Sequence, residues 1–163
     1  MMCLFLHPFA RNTKFRPDPR WCIDFKDSAG DDVREGVWVS AAESEELQGG
    51  HGATANCVFR WKGTTRDATV SVVTGLKGVT QPSYSADLCG REGAWVVAFE
   101  CRNAVPVRWH PQGTYAARAA GEGSSCTWGD VTLDEEWGEY DEKAGVPVAV
   151  RLVSHSFERR ATS

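Results

Sequence analysis

An all-β single domain is the fold class that this 163-residue sequence predicts, and three observations predict it. Short runs rich in β-branched and aromatic residues alternate in and out with period two. Glycine-rich turn signals separate those runs at short intervals. Only one stretch carries the start signal of a helix. Together these point to a β-sandwich or barrel with at most short helices, spanning residues 1–163 without a dividing linker or an internal repeat.

The elements follow in order. Residues 21–26 put Trp21, Ile23 and Phe25 on one face of a strand. A turn signal, Ser28-Ala29-Gly30-Asp31-Asp32, comes next. Residues 41–47 are the one helical candidate, with Ser40 as cap and Glu43 three positions later. After Gly49-Gly50-His51-Gly52, residues 57–62 place Cys57, Phe59 and Trp61 on a shared face. Residues 68–74 hold Val70, Val72 and Val73. Residues 95–101 form the most apolar run, which reads as a central strand with Trp95 in the core and Cys101 buried and inert. A turn spans residues 121–125. Residues 148–157 close the chain with Val148, Val150 and Leu152 on one face.

Length and composition set further bounds. With 42% hydrophobic and 25% charged residues the chain can bury a core without staples. A formal net charge of −4 supplies no basic field to attract nucleic acid, and no nucleic-acid partner is expected. The imbalance is local. Residues 1–26 carry Arg11, Lys14, Arg16, Arg20 and Lys26 against Asp18 and Asp24. Residues 130–142 carry seven acids and no base, which reads as a solvated face. Within it Val131, Leu133, Trp137 and Tyr140 fit a strand and turn packed by the apolar side, and the alternating oxygens of a calcium loop are missing.

No apolar run approaches the span of a bilayer, so no membrane role is expected. The apolar start at Met2 to Leu6 is shorter than a secretory core and has no basic residue before it. Arg11, Lys14 and Arg16 precede any acid, as in a mitochondrial presequence, but Pro8, Pro17 and Pro19 spoil an amphipathic helix. The expected location is therefore cytoplasmic, with mitochondrial import as the alternative.

The chemistry of an enzyme is not visible. The histidines His7, His51, His110 and His155 lack a nucleophile elbow, a phosphate loop or a zinc-protease helix beside them. No catalytic residue is expected. Seven tryptophans are many for this length. They suit a sandwich core, or alternatively a stacking platform for sugars or bases. The six cysteines, Cys3, Cys22, Cys57, Cys89, Cys101 and Cys126, are scattered. No two lie three apart, so no Cys-x-x-Cys zinc knuckle exists.

The C-terminal half carries a resemblance. Val97-Ala98-Phe99-Glu100-Cys101-Arg102, Pro106, His110-Pro111-Gln112-Gly113 and Gly129-Asp130-Val131-Thr132-Leu133 come first. Glu136-Trp137-Gly138-Glu139-Tyr140-Asp141-Glu142-Lys143 and Val153-Ser154-His155-Ser156-Phe157 follow. In order and spacing they resemble the eukaryotic CXXC motif-containing zinc-binding protein family. Arg16-Pro17, Arg20-Trp21, Gly50-His51-Gly52, Ala55-Asn56 and Arg66-Asp67 resemble its N-terminal half more faintly.

What the resemblance implies is a structural zinc held by two Cys-x-x-Cys pairs. Carried across by position, the first pair falls on Asp27 and Gly30, the second on Trp61 and Thr64. All four ligands are missing, so no zinc or other cofactor is expected. Cys22, Cys57, His51 and Asp27 are the residues from which a mixed site would have to be built. The expected role is a non-catalytic interaction or structural protein with a protein partner or larger complex. The alternatives are zinc held by unconventional ligands, and an aromatic sugar- or nucleic-acid-binding module.

Overall fold

The computed structural model describes residues 1–11, 13–16, 20–48, 52–76, 84–85, 94–120 and 124–160, of which 3, 5–11, 13–16, 84, 85, 94 and 153 are described by backbone alone. Every regular element among them is a strand.

The largest sheet has six strands. Its order is β14 (Trp137–Asp141), β15 (Val146–Arg159), β1 (Met2–Arg11), β10 (Ala94–Arg102), β8 (Asp67–Val73) and β7 (Cys57–Arg60). The first and last strands of the chain, β1 and β15, are neighbours here over ten paired positions. Pro8 cannot donate to a ladder, and the register of β1 against β15 shifts between His7 and Pro8.

A second sheet has three strands in the order β11 (Ala104–His110), β3 (Arg20–Asp27) and β4 (Val33–Ser40). The apolar face of β3, Trp21, Ile23 and Phe25, packs toward the six-stranded sheet. The Trp21 ring meets Phe99 at 6.2 Å edge-on, and Phe25 meets Phe59 at 6.0 Å. Leu4, Val39, Val70, Val97, Trp109 and Val150 complete this core. Close packing of such rings and branched chains stabilises the fold through the apolar area removed from water.

Smaller sheets flank these two. One is β13 (Thr127–Val131), β12 (Tyr115–Ala119), β2 (Thr13–Arg16) and β9 (Tyr84–Ser85) in that order. The other is the pair β5 (Glu45–Glu46) and β6 (Thr54–Ala55).

Four expectations need correction. The helix expected over 41–47 is replaced by a turn and β5. The Ser40 hydroxyl accepts the Ala42 amide at 3.2 Å and the Ser40 carbonyl accepts the Glu43 amide at 3.1 Å, closing one turn only. Glu45 and Glu46 then pair with Ala55 and Thr54. The stretch has no apolar face to hold a helix against the core, so pairing wins. Trp95 and Cys101 are half-buried rather than buried: Trp95 packs against the small cluster around Ala98 and Cys101 against the main core. Tyr140 is exposed because it stands on the outer side of an edge strand.

The acidic run is a solvated face with one exception. Asp141 is only 1% exposed. Its Oδ1 accepts the amides of Lys143 at 3.1 Å and Ala144 at 3.2 Å, and the Cys126 thiol at 3.4 Å, so it organises the β14–β15 turn. The Ser124 hydroxyl, these amides and the thiol hold its carboxyl below the ordinary value against the cost of burial.

Candidate functional site

The two turns expected to carry the zinc ligands face each other. The first follows β3. The Asp27 amide donates to the Asp32 carbonyl at 2.9 Å, and Asp27 Oδ1 accepts the Ala29 amide at 3.0 Å. Such a side-chain-closed turn is what an aspartate at this position favours. The second follows β7. The Thr64 amide donates to the Trp61 carbonyl at 3.2 Å, and Gly63 takes φ +75°, a left-handed conformation that disfavours a Cβ.

Between them lies a cleft of about 350 Å³ lined by Asp27, Ala29, Trp61, Thr64, Arg66 and Asn103 among others. Three of the four positions carried over from the family pattern, Asp27, Trp61 and Thr64, line this one cleft. The fourth, Gly30, is not among the lining residues; it sits in the first turn, where a Cβ built on it would stand 3.2 Å from Asp27 Oδ2.

The floor of the cleft is the Trp61 indole. It is 6% exposed and packs edge-on against Phe59 with centroids 5.2 Å apart. Its Nε1–H donates to the Asn103 carbonyl at 2.6 Å. Asn103 occupies the turn between β10 and β11 in a left-handed conformation, φ 55°, and its side-chain amide donates to the Asp67 carbonyl at 2.8 Å. Asn103 was not among the residues singled out from sequence. The signal for it is an asparagine between two β runs, a residue type that tolerates the left-handed region.

These groups do not fit a structural zinc, which takes four converging thiolate, imidazole or carboxylate donors. Gly30 offers no side-chain donor. The Trp61 nitrogen only donates and is already engaged. The Thr64 hydroxyl bonds to the Trp61 and Arg66 carbonyls at 3.2 and 3.4 Å. Only the Asp27 carboxylate remains.

The substitutes do not assemble either. Cys22 is buried on the outer side of β3 and Cys57 is half-buried on β7, in different sheets. Burial, with Asp24 adding, pushes the Cys22 thiol up. Burial, with Glu45 adding, pushes Cys57 up to about 11. Both therefore stand as neutral thiols in the metal-free chain. His51 lies outside the described residues. Among the described residues no three His, Cys, Asp or Glu side chains converge on one point.

A second polar group sits on the outer side of the three-stranded sheet. Asp24 Oδ1 accepts the Gly36 amide at 2.8 Å and lies 2.8 Å from His110 Nε2, so one carboxylate ties β4 and β11 to β3. Burial works against its charge, but the Gly36 amide and His110 outweigh it and leave the carboxyl below its ordinary value. His155 on β15 accepts the Trp109 amide through Nε2 at 3.3 Å, which links the two large sheets.

The family model for the eukaryotic CXXC motif-containing zinc-binding protein matches residues 10–158. The CXXC motif-containing zinc-binding protein of Bos taurus is 31% identical over 150 residues, 89% of each chain. The Homo sapiens protein of the same name is 30% identical over the same share. The crystal structure of C1orf123 superposes with a TM-score of 0.81 at 26% identity, covering 98% of this chain and 99% of its own. A hypothetical protein from Plasmodium falciparum shares the fold, with a TM-score of 0.79 at 19% identity over 96% and 97% of the two chains. The match over residues 10–158, resting on the same strands and turns that frame the cleft, makes this chain a member of the eukaryotic CXXC motif-containing zinc-binding protein family.

Proposed function

We propose that this chain is a non-catalytic interaction or structural member of its family, in which a hydrogen-bonded aromatic clasp has taken the place of a metal clip. The observation that carries this reading is the position of Trp61. It stands where the family pattern expects a ligand, lines the cleft between the two turns, and bonds to Asn103 on a third segment. A structural zinc contributes folding free energy by tying turns together. Here a buried ring against Phe59 and one 2.6 Å hydrogen bond tie the turn after β7 to the β10–β11 turn instead.

Three further points support the reading. The chain has no Cys-x-x-Cys pair. The described thiols Cys22, Cys57, Cys101 and Cys126 are all unpaired, which suits the reducing conditions of the cytoplasm. The residues that line the cleft include no histidine and no cysteine.

The test is metal content of the purified protein after dialysis, beside thermal melting with and without chelator. The expected result is no stoichiometric zinc and an unchanged melting temperature. One zinc per chain that survives dialysis, with melting that falls in chelator, establishes unconventional ligands instead. Affinity purification of the native protein, run in parallel, tests for the partner: a chain recovered alone under mild conditions speaks against an interaction role.

A further inference from the structure

The six-stranded sheet ends on β7 at one side and on β14 at the other. Strands β4 and β5 approach β7. Strand β14 pairs with β15 alone among the described residues. An unpaired edge offers a row of amides and carbonyls to another extended chain. Folded proteins commonly guard such an edge with proline, a bulge or charge. The β14 sequence, Trp137–Asp141, has no proline, and its ladder with β15 runs without a register shift. Its guard is carboxylate alone, which repels acidic strands and admits basic ones.

The backbone geometry leaves bonding groups on the open side. Pro147 stands opposite Tyr140 and has no amide to give, so this pair does not exchange both ladder bonds. Alternation along an antiparallel ladder then turns the backbone groups of Gly138 and Tyr140 away from β15.

The solvent face of the β14–β15 hairpin is a groove of about 630 Å³. The cross-strand pair Gly138 and Ala149 forms its floor. Tyr140 and Pro147 stand at one end, and Glu136 and Arg151, 3.7 Å apart, at the other. Tyr140 is 55% exposed, the most exposed of the large apolar side chains described. Around the edge Asp134, Glu135, Glu136, Glu139 and Glu142 are all exposed. Against them stand Arg151, Lys143, whose Nζ lies 2.9 Å from Ser125 Oγ, and Arg11, which pairs with Ala149 from the far side of β15. Carboxylates outnumber cations there.

We infer that the β14 edge takes up a basic, extended segment of a partner protein as an added strand. Main-chain bonds to Gly138 and Tyr140 align it, and the carboxylates select its charge. A lysine or arginine of that segment lays its apolar stem over Gly138 and Ala149, where the floor is low, and brings its cation to the Tyr140 ring and the surrounding carboxylates. A second copy pairing β14 to β14 sets acids against acids and is disfavoured.

The inference rests on the reading of this chain as an interaction protein, and its test is separate from that reading's. The isotope-labelled full chain is titrated with three short peptides and followed through its amide resonances. The first alternates lysine with valine, and the second alternates glutamate with valine. The third is the lysine peptide with alternate amides N-methylated, which prevents ladder formation. At low ionic strength the lysine peptide is expected to bind, shifting Gly138 and Tyr140 and slowing their hydrogen exchange. The glutamate peptide should not bind, and N-methylation should weaken binding about tenfold or more. Salt at about 1 M, where the screening length is about 3 Å, should weaken it too.

Tyr140→Ala and the pair Glu136→Lys/Glu139→Lys each lower affinity for the lysine peptide about tenfold, and the charge reversal gains binding of the glutamate peptide. Gly138→Val raises the floor of the groove and should also weaken binding; its Cβ meets the Val148 carbonyl at an ordinary 3.7 Å. No binding of the lysine peptide at low salt overturns the inference and leaves the co-purification result to decide the interaction role. Equal binding of the N-methylated peptide overturns strand addition. Binding that Tyr140→Ala and the charge reversal leave unchanged places the peptide elsewhere and overturns it as well. A wild-type chain that dimerises at low salt, with Gly138 and Tyr140 shifting as concentration rises, assigns the edge to a second copy instead.

Discussion

The Trp61 indole donates to the Asn103 carbonyl at 2.6 Å, joining the turn after β7 to the turn between β10 and β11. Asn103 passes the link on to the Asp67 carbonyl at the start of β8. Forty-two residues of sequence separate the first pair, so the bond closes a long loop of chain.

Removing the donor measures the clasp. Trp61→Phe keeps a ring but leaves the Asn103 carbonyl without its partner, at a cost of about 1–3 kcal/mol. Trp61→Ala also opens a cavity beside Phe59 and should cost about 3–5 kcal/mol. Urea unfolding of the two variants checks the order. Equal losses would mean that packing alone holds the turn.

Asn103 separates conformation from bonding. Asn103→Gly tolerates φ 55° and loses only the bond to Asp67. Asn103→Ala loses that bond and adds left-handed strain of about 1–2 kcal/mol. The alanine variant should therefore be the less stable by that margin in the same urea experiment.

The zinc site should be restorable. Changing Asp27, Gly30, Trp61 and Thr64 all to cysteine places thiolates on two turns that border one cleft. Replacing Asp27 also removes the carboxylate that a Cβ at position 30 would approach at 3.2 Å. The quadruple variant is expected to bind one zinc with chelator-sensitive melting, far more tightly than either double variant. If the quadruple variant folds and takes up no more zinc than the doubles, the turns do not converge closely enough.

Acid should loosen the contact between the two large sheets through His155. Its Nε2 accepts the Trp109 amide, so the native ring is neutral at that atom. Burial, then the charges of Arg108 and His110, hold its pKa below the ordinary 6.5. A depressed pKa means that the unfolded chain binds the proton more readily. The contribution is thus present above pH 6.5 and is lost as pH falls through the lower native value. His155→Gln, which keeps an acceptor and cannot titrate here, should flatten the pH dependence of stability over that range. An unchanged slope would place the acid sensitivity elsewhere.

The thiols of β7 and β10 should be slow to react in the native state. Burial pushes Cys101 up to about 12, with Glu100 adding and the N-terminal amine opposing. Cys57 stands at about 11. At neutral pH very little of either is thiolate, the reactive form. Thiol labelling followed by peptide mapping should show both modified only on unfolding, and rapid native labelling would contradict the burial.

Much of the fold was legible before any coordinates. Period-two alternation marked Trp21, Ile23 and Phe25 as one inward face, and they pack there. The same logic placed Phe59 and Trp61 together, and their rings touch. The family pattern pointed to Asp27, Gly30, Trp61 and Thr64; three of these line one cleft, and Gly30 is not among its lining residues. These are consequences of local geometry: a strand sends alternate side chains to opposite faces whatever it later pairs with.

What alternation does not carry is which face another strand covers, and which strand is left at an edge. Cys22 and Asp24 point outward from β3 and are buried all the same, because β4 and β11 flank them. Tyr140 belongs to an apolar rhythm and is exposed, on a strand that lies at the edge of its sheet among the described residues. Residues 41–47 had a helix cap but form a turn followed by Glu45 and Glu46, which pair with Ala55 and Thr54. The clasp itself depends on Asn103, a residue without chemistry of its own until β10 and β11 bring its carbonyl to Trp61. The sequence alone determined the strands and most of their inward faces, while long-range pairing decided burial, edges and the contact that joins the turns, since those depend on segments far apart in the chain.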